Sequence, residues 1–171
     1  MSKAFLRESD LPDIPEPPRR IAALPPGTAN YLTPSGAERL RRELALLSEV
    51  ERPPLATAAA SGDTDGKQAL QRLDQRIRQL QQSLRSAEVI PPATGMPDQV
   101  RFGTTVTVRD SAGVESRYRL VGVDETDLER NWVSWLSPIA QALLNARVGE
   151  DVVFKAPGGK KELQVVAIVQ E

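Results

Sequence analysis

The chain has 171 residues, of which 40% are hydrophobic and 26% are charged, and its net charge is −1. This composition is typical of a globular protein, and it lacks the basic excess that autonomous tight binding to DNA or RNA requires. Cysteine and histidine are both absent, which excludes disulfides, zinc enzymes with such ligands and hydrolases with a histidine-containing triad.

The first 30 residues are rich in proline, with prolines at positions 12, 15, 17, 18, 25 and 26. Each proline lacks a backbone donor and restricts the residue before it, so residues 1–30 are predicted to be an extended or disordered tail. The tail is either a solvated leader or a partner-binding segment. No signal-like apolar stretch and no run of about 18 apolar residues occurs, so we expect a soluble, cytoplasmic protein with no membrane partner.

A first helix is predicted to start at Thr33 and Pro34, because a hydroxyl suits the N-cap and a proline suits the first helical position. Leucines at spacings of four and three then mark one face of this helix: Leu40, Leu44 and Leu47. The pair Pro53-Pro54 either kinks the helix or ends it and allows a restart, because an interior proline clashes with the preceding turn.

A polar turn over residues 61–66 precedes a second helix, predicted over roughly residues 67–88. Its apolar residues alternate spacings of three and four, as in a heptad seam: Leu70, Leu73, Ile77, Leu80 and Leu84. Two amphipathic helices that flank a short turn indicate an antiparallel α-helical hairpin. Residues 31–90 are therefore predicted to form a coiled coil that stands out as an arm.

Residues 91–97 are rich in proline and glycine and are predicted to be a linker, compatible with more than one angle between its neighbours. Residues 98–171 alternate β-branched and polar positions, which predicts a β-rich domain with one short helix. The expected strands cover residues 100–102, 104–109, 114–121, 132–135, 151–155 and 162–169, and the expected helix covers residues 138–145. The chain is thus predicted to be of the α+β class.

Several separate segments together resemble the GreA/GreB family of bacterial transcription elongation factors. In the second half of the chain these segments are Val100–Val108, Tyr118–Gly122, Asp124-Glu125, Ser137–Leu143 and Pro157–Gly159. In the first half they are Tyr31-Leu32-Thr33, Gly36, the leucine stripe and Arg52-Pro53. Two further segments are more similar to GreB than to GreA: Met1–Phe5 and Leu73–Ile77.

The resemblance implies an FKBP-like fold for residues 98–171, without isomerase activity, and docking of this domain at the rim of the RNA polymerase secondary channel. It implies that the coiled coil enters the channel and that an acidic tip helps to hold a catalytic magnesium ion, which activates water to cleave backtracked RNA. We therefore expect an accessory factor rather than an enzyme, with bacterial RNA polymerase as its partner. It would contact DNA and RNA only through the polymerase, and any Mg²⁺ would be shared with the polymerase.

Asp63 and Asp65 are the candidate acidic residues of the tip, because magnesium prefers hard oxygen ligands. Relatives that stimulate cleavage carry Gly-Asp-x-x-Glu-Asn-Ala-x-Tyr there, whereas this chain continues from Gly62-Asp63 into Thr64–Gln68 without the Glu, Asn, Ala and Tyr. On this comparison the arm is shorter by one to two helical turns of about 5.4 Å each. Asp63 and Asp65 are then turn residues, metal-assisting ligands or residues of a channel-entering tip without metal chemistry.

Two other groups are candidate contact residues. Basic side chains of the second helix face either solvent or the channel and its RNA: Lys67, Arg72, Arg76 and Arg78. The residues that correspond to the polymerase-contacting loop of the family are Leu136, Ser137, Pro138, Ile139 and Ala140. Pro138 also suits a helix start. Leu136 stands where relatives carry Asn or Asp, and with Trp132 and Trp135 it is a candidate apolar patch unless the tryptophans belong to the core.

The leading functional prediction is an RNA polymerase-binding regulator of elongation that acts at the secondary channel, with weak or no stimulation of transcript cleavage. One alternative is an active cleavage factor in which Asp63 and Asp65 assist the second magnesium ion. Another is an Rnk-like protein, whose short coiled coil serves binding outside elongation.

Overall fold

The structure, a computed structural model, describes residues 24–170. These residues form a long helical region, a two-stranded sheet and a five-stranded sheet, so the predicted α+β class is confirmed. Most of the predicted tail lies outside the described residues, and its last part contains a turn in which Thr28 N–H donates to the carbonyl of Pro25. Within the described part of the chain, no helix is long and apolar enough to cross a membrane.

The helical region consists of three α-helices and one π-helical turn: α1 (Pro34–Ala45), the π-helical turn (Leu46–Glu51), α2 (Arg52–Ala60) and α3 (Thr64–Ser86). Thr33 caps α1 as predicted, because its hydroxyl accepts the backbone N–H of Gly36 at 3.0 Å. The predicted start of the second helix is wrong by about one turn. Asp63 caps α3 instead, since its carboxylate accepts the N–H of Asp65 at 3.0 Å.

The helical backbone does not stop at Pro53-Pro54, so of the two predicted alternatives, a kink or a break with a restart, the break is wrong. The residues that flank the π-helical turn keep right-handed helical angles, and the N–H of Arg52 donates to the carbonyl of Leu47, five residues earlier. The two prolines occupy the first turn of α2, directly after the π-helical turn, so their missing N–H groups remove bonds only to that preceding turn. The wider π-helical turn thus accommodates the prolines, whose rings would clash with a regular α-helical turn before them.

Contacts between the helices join residues in opposite chain order. Arg76 pairs with Glu43 at 2.7 Å and Arg52 pairs with Asp74 at 2.8 Å, while a Cβ at Gly66 would lie 3.1 Å from that of Ala58. The buried centre of the helical region is Leu32, Ala37, Leu40 and Leu80, with Leu44, Leu47, Leu84 and Ala87 packed around it. Part of this core comes from the predicted leucine stripes of both helices, and its removal from water stabilises the packing.

A short parallel sheet joins the two ends of the helical region. It pairs β1 (Asn30–Leu32) with β2 (Ala87–Val89). Both segments fall within the predicted helical hairpin or just before it, because three residues are too few to show a period of two. Helix α3 ends at Ser86, where β2 begins, and this end is two residues before the predicted one.

The five-stranded sheet contains the strands β3 (Thr104–Asp110), β4 (Glu115–Val121), β5 (Trp132–Ser134), β6 (Asp151–Ala156) and β7 (Gly159–Gln170). Their order is β5-β4-β3-β7-β6, with only the β4–β5 pair parallel. Helix α4 (Pro138–Leu143) lies against β6. The hydrophobic core cluster of this domain consists of Val100, Val106, Val108, Leu120, Ala140, Leu143, Ala146, Leu163 and Val165.

The predicted strand over residues 100–102 is wrong. Val100 is fully buried, but its N–H donates to the carbonyl of Ala146 and its own carbonyl accepts the N–H of Asn145, so it pairs with an irregular segment rather than a strand. The predicted helix end is also too late. Asn145 has a φ of 68°, which the right-handed helix excludes, and α4 has already ended at Leu143.

Candidate functional site

The carboxylate of Glu125 lies at the junction between the helical region and the five-stranded domain. Its side chain is 1% exposed. One oxygen accepts the N–H of Thr33 at 2.9 Å and the N–H of Gly122 at 3.0 Å, and the other accepts the Thr33 hydroxyl. A buried carboxylate is costly unless its oxygens are bonded, and here it also meets the positive end of α1. Glu125 therefore joins the two parts of the chain through a charge-assisted set of hydrogen bonds.

Two glycines allow α1 and β1 to approach the five-stranded domain closely at this junction. A Cβ at Gly36 would lie 1.8 Å from a carboxylate oxygen of Glu125, and a Cβ at Gly122 would lie 2.0 Å from the carbonyl oxygen of Tyr31. Both distances are far below van der Waals contact. Any larger residue at either position would push α1 or β1 away from the five-stranded domain.

Polar contacts on the far side of β1 complete the junction. The amide of Asn30 donates to the carbonyl of Ser83 at 3.1 Å, and the Ser83 hydroxyl donates to the carboxylate of Asp124. The relative placement of the two parts, which the linker sequence left open, is thus fixed in this structure by side-chain contacts from α1, α3 and the turn after β4.

The tryptophans lie beside this junction and are half-buried. The ring centroid of Trp135 is 5.0 Å from that of Tyr31, so Trp135 packs against β1. Trp132 instead has guanidinium groups around its ring. The predicted apolar patch is therefore not an open surface of exposed rings, since Leu136 is half-buried as well.

The segment predicted to contact the polymerase combines exposed and buried residues. Ser137 caps α4 by accepting the N–H of Ala140 at 3.3 Å, and Pro138 is exposed at the first helical position. Ile139 packs against the core of the five-stranded domain, and Ala140 is fully buried. The surface of this segment is consequently formed by Leu136, Ser137 and Pro138.

The predicted tip residues lie at the turn between α2 and α3. Asp63 and Asp65 are both exposed, and Asp63 uses one carboxylate oxygen to cap α3. In residues 24–170 no group of three or more Asp, Glu, His or Cys side chains could hold a metal ion. At most, these two carboxylates can each offer an oxygen to an ion that another molecule also binds.

The basic residues of α3 differ in whether they are exposed or paired with a carboxylate of another helix. Lys67, Arg72 and Arg78 are exposed, whereas Arg76 is engaged with Glu43 across the helices. A second cross-helix pair lies nearer the tip, where the hydrogen bond to Asp74 and its negative charge raise the pKa of the Arg52 guanidinium above its ordinary value. These pairs hold the helices in register.

Two family models match the chain over almost its whole described length. One is described as "Transcription elongation factor, N-terminal" and matches residues 30–89, and the other, "Transcription elongation factor, GreA/GreB, C-term", matches residues 95–170. The chain belongs to the GreA/GreB family. The family predicted from the sequence is therefore confirmed.

Individual members of the GreA/GreB family align over most of the chain. The transcription elongation factor GreB of Neisseria meningitidis is 37% identical over 153 residues, which cover 82% of this chain and 94% of that protein. GreB of Pseudomonas aeruginosa is 40% identical over 157 residues, with coverage of 84% and 94%. The solved structure of Gfh1 from Thermus thermophilus aligns with a TM-score of 0.40 at 29% identity, covering 83% of this chain and 99% of that chain.

The role of Glu125 was not predicted from the sequence. Asp124-Glu125 was recognised only as part of the family pattern, yet Glu125 contacts Thr33, which is 92 positions away. The available signal was the acidic pair Asp124-Glu125, which follows the apolar Val121-Gly122-Val123 segment. Such a residue needs a partner when it is buried, but nothing in the local sequence identifies that partner.

Proposed function

We propose that this GreA/GreB-family protein binds bacterial RNA polymerase at the rim of the secondary channel and regulates elongation. Matches to both family domains support this proposal. Residues 98–171 form an FKBP-like domain that docks on the rim, and residues 31–90 form an antiparallel coiled-coil hairpin that enters the channel. The opposite chain order of the Arg52–Asp74 and Glu43–Arg76 pairs supports the hairpin. The protein acts as an accessory factor and leaves catalysis to the polymerase.

Weak or absent stimulation of transcript cleavage is the second part of the proposal. The observation that carries it is the tip, where the turn between α2 and α3 is only Ser61–Asp63 and Asp63 caps a helix. A cleavage-assisting carboxylate must reach an ion held by the polymerase at a Mg–O distance of about 2.1 Å. A shortened arm whose first acid is engaged in capping is poorly suited to that task.

Any magnesium at the tip would be held jointly by Asp63, Asp65 and the polymerase. Once bound, Mg²⁺ supplies an activated water for cleavage of RNA. The protein's own contribution is limited to orienting one or two carboxylate oxygens. Lys67 and Arg72 are exposed on the same helix and can approach RNA in the channel.

The docking surface of the FKBP-like domain includes Leu136, Ser137 and Pro138. Ile139 and Ala140 hold this segment against the core, so their contribution to docking is to position it. The half-buried Leu136 replaces the polar residue of relatives, and it adds apolar area to the contact.

RNA cleavage in backtracked complexes tests the proposal. The assay compares polymerase alone with polymerase plus the wild-type protein, the double variant Asp63→Asn with Asp65→Asn, and a control, Asp151→Asn, at the exposed start of β6. Asparagine retains the cap of α3 but removes the charge that magnesium needs. We expect the RNA to shorten at a rate close to that of polymerase alone in every case.

Two other results would assign a different function. Strong RNA shortening that the double variant loses and Asp151→Asn keeps would show an active cleavage factor that uses Asp63 and Asp65. Failure of the wild-type protein to co-purify with core RNA polymerase would contradict the docking proposal and favour the Rnk-like alternative.

A further inference from the structure

A cavity of about 340 Å³ lies between the helical region and the five-stranded domain. Its lining comes from the start of α1, from the segment after β2 and from the approach to β3. Four of the lining residues are apolar: Pro34, Ile90, Pro92 and Phe102. A concave and mostly apolar site of this volume is typical of ligand-binding sites. An occupant of this cavity would contact both parts of the chain.

Gln170 contributes a polar group to the cavity. The side-chain oxygen of Gln170 is buried and accepts no hydrogen bond within residues 24–170. Arg119 also lines the cavity, and its guanidinium already lies over the Trp132 ring, 4.9 Å from the centroid. What the cavity lacks is therefore a hydrogen-bond donor, because a buried acceptor without one is unfavourable.

The proline-rich sequence before Leu24 has a period of three. Residues 11–18 read Leu-Pro-Asp-Ile-Pro-Glu-Pro-Pro. A polyproline II helix has three residues per turn, so positions three apart share a face. The three faces would carry, in turn, Leu11, Ile14 and Pro17; Pro12, Pro15 and Pro18; and Asp13 and Glu16. In this conformation the segment would be amphipathic, with two adjacent apolar faces and one charged face.

An amphipathic polyproline II segment has the chemistry that the cavity requires. Leu11 and Ile14 would be one turn apart, which is about 9 Å. Segments in this conformation dock in aromatic-lined apolar grooves, because a stiff segment loses little conformational entropy on binding. Their backbone has no internal hydrogen bonds. The backbone N–H of Asp13 or Ile14 is therefore available to the side-chain oxygen of Gln170.

The chain is long enough for this contact. Thr33 lines the cavity nine positions after Leu24, and Pro15 lies nine positions before Leu24. Each of these two stretches spans at most about 30 Å, so residues up to Pro15 can return to the cavity whatever path residues 24–33 take. Because both sites belong to one chain, the effective concentration of the segment at the cavity is roughly millimolar.

We propose that residues 11–15 dock in this cavity as a polyproline II segment and connect the helical region to the five-stranded domain. Leu11 and Ile14 pack against the apolar lining, a backbone N–H donates to Gln170, and Asp13 faces solvent. Docking of this segment does not depend on the proposed polymerase binding. Because the segment contacts both parts of the chain, its docking favours the domain arrangement that Glu125 also holds.

Distances between spin labels in the full-length chain test the inference. The labels are attached at Ser9→Cys, two positions before the segment, and at Ser111→Cys in the exposed β3–β4 turn. Double electron–electron resonance should show one narrow distance distribution, because a docked segment keeps its label at a fixed distance from the five-stranded domain.

Two changes should abolish the narrow distribution: Leu11→Ser with Ile14→Ser, which removes an apolar face, and Pro92→Asp, which places a charge in the apolar lining. Two matched controls should retain it. One is Asp13→Ser with Glu16→Ser on the charged face, and the other is Pro91→Asp, at an exposed proline that does not line the cavity. Far-ultraviolet circular dichroism of each variant separates loss of docking from loss of fold.

Four results would overturn the inference. A broad distribution without further substitutions would mean that the segment is not docked, and narrowing only after addition of core RNA polymerase would assign the segment to the polymerase. Loss of the narrow distribution on dilution with unlabelled protein would assign the docking to a second copy of the chain. A narrow distribution that Pro92→Asp leaves unchanged would place the segment at another site. Co-purification with core RNA polymerase tests the proposed function separately.

Discussion

Glu125 is a buried acidic residue, and its carboxylate needs hydrogen-bond donors from the surrounding protein. Its buried carboxylate accepts hydrogen bonds from Thr33 and Gly122, at the end of α1 where the helix dipole favours negative charge. The bonds cross from one part of the chain to the other. A change at this side chain therefore affects local hydrogen bonding and the contact between domains together.

Replacement of Glu125 by alanine is expected to lower the free energy of unfolding by about 2 to 3 kcal/mol, because buried donors lose their acceptor. Glu125→Gln retains one acceptor oxygen and should cost less. Urea unfolding followed by tryptophan fluorescence measures both values, with the exposed Glu129→Ala as control. Equal stabilities of Glu125→Ala and Glu129→Ala would contradict the role of the buried carboxylate.

The glycines at the junction give a second prediction at this scale. Gly36→Ala and Gly122→Ala are each expected to destabilise the protein by about 1 to 3 kcal/mol, because the added methyl group has no room beside Glu125 or the Tyr31 carbonyl. The control is Gly158→Ala, since nothing lies within 4 Å of a Cβ there. Thermal unfolding of the three variants provides the comparison, and equal melting temperatures would argue against close packing at the junction.

Among the elements, the helical region depends on its caps and its narrow core. Thr33 and Asp63 start α1 and α3 by accepting backbone N–H groups that the helices leave unbonded. Only one stripe of each helix is buried, so each core position carries a large share of the stability. The contributions of the helix caps and of the buried stripe to stability can therefore be measured with separate substitutions.

Asp63→Ala is expected to lower stability by about 1 kcal/mol through loss of the α3 cap, whereas Asp63→Asn should have a smaller effect because asparagine also caps helices. The helical circular dichroism signal at 222 nm during urea unfolding reports both variants. A large loss in Asp63→Asn as well would show that charge, rather than capping, is what this position requires.

Leu80→Ala is expected to destabilise the helical region by about 3 kcal/mol, because Leu80 is 2% exposed within a packed cluster and its truncation leaves a cavity. The control is Leu46→Ala, at a leucine that is 50% exposed and should change stability by no more than about 0.5 kcal/mol. The same circular dichroism measurement decides. Similar losses in the two variants would be inconsistent with a core centred on Leu80.

For the whole molecule, the contacts around Glu125 determine where the helical region points relative to the five-stranded domain. Those contacts come from the ends of α1 and α3 and from the turn after β4. The tip between α2 and α3 lies at the other end of the helices, so a small rotation at the junction produces a large displacement there. Glu125 thus affects the proposed entry into the channel by orienting the helical region relative to the five-stranded domain.

Distances between spin labels test this placement. The chain has no cysteine, so Gln68→Cys near the tip and Ser111→Cys in the β3–β4 turn give two unique and exposed sites. Double electron–electron resonance should show one narrow distance distribution, which Glu125→Ala broadens and Glu129→Ala leaves unchanged. A distribution that is equally narrow in all three proteins would contradict the role of Glu125 in domain placement.

Repeating patterns made several parts of the fold predictable. The leucine spacings predicted the face that is buried at Leu40 and Leu80, and Thr33-Pro34 predicted the start of α1. The strands predicted over residues 104–109 and 114–121 correspond to β3 and β4, which pair with each other. Each of these features is encoded within about two helical turns or one hairpin, where side chains a few positions apart face the same neighbour.

Features that depend on distant residues were missed or wrong. The strand expected at residues 100–102 failed because the partner of Val100 is the irregular segment at Asn145 and Ala146. The three-residue strands β1 and β2 were missed because each forms only through the other. Asp63 lies in the turn between α2 and α3, but its position as a helix cap was not predicted.

The sequence by itself determined the family and the α+β class, because these are properties of composition, local spacing and residue identity. Only the tertiary structure decided that Glu125 joins the helical region to the five-stranded domain and that Arg39 shares the Trp132 ring with Arg119 and Arg130. The physical reason is that a buried carboxylate or a crowded indole needs partners, and the chain supplies them from positions that no local period connects.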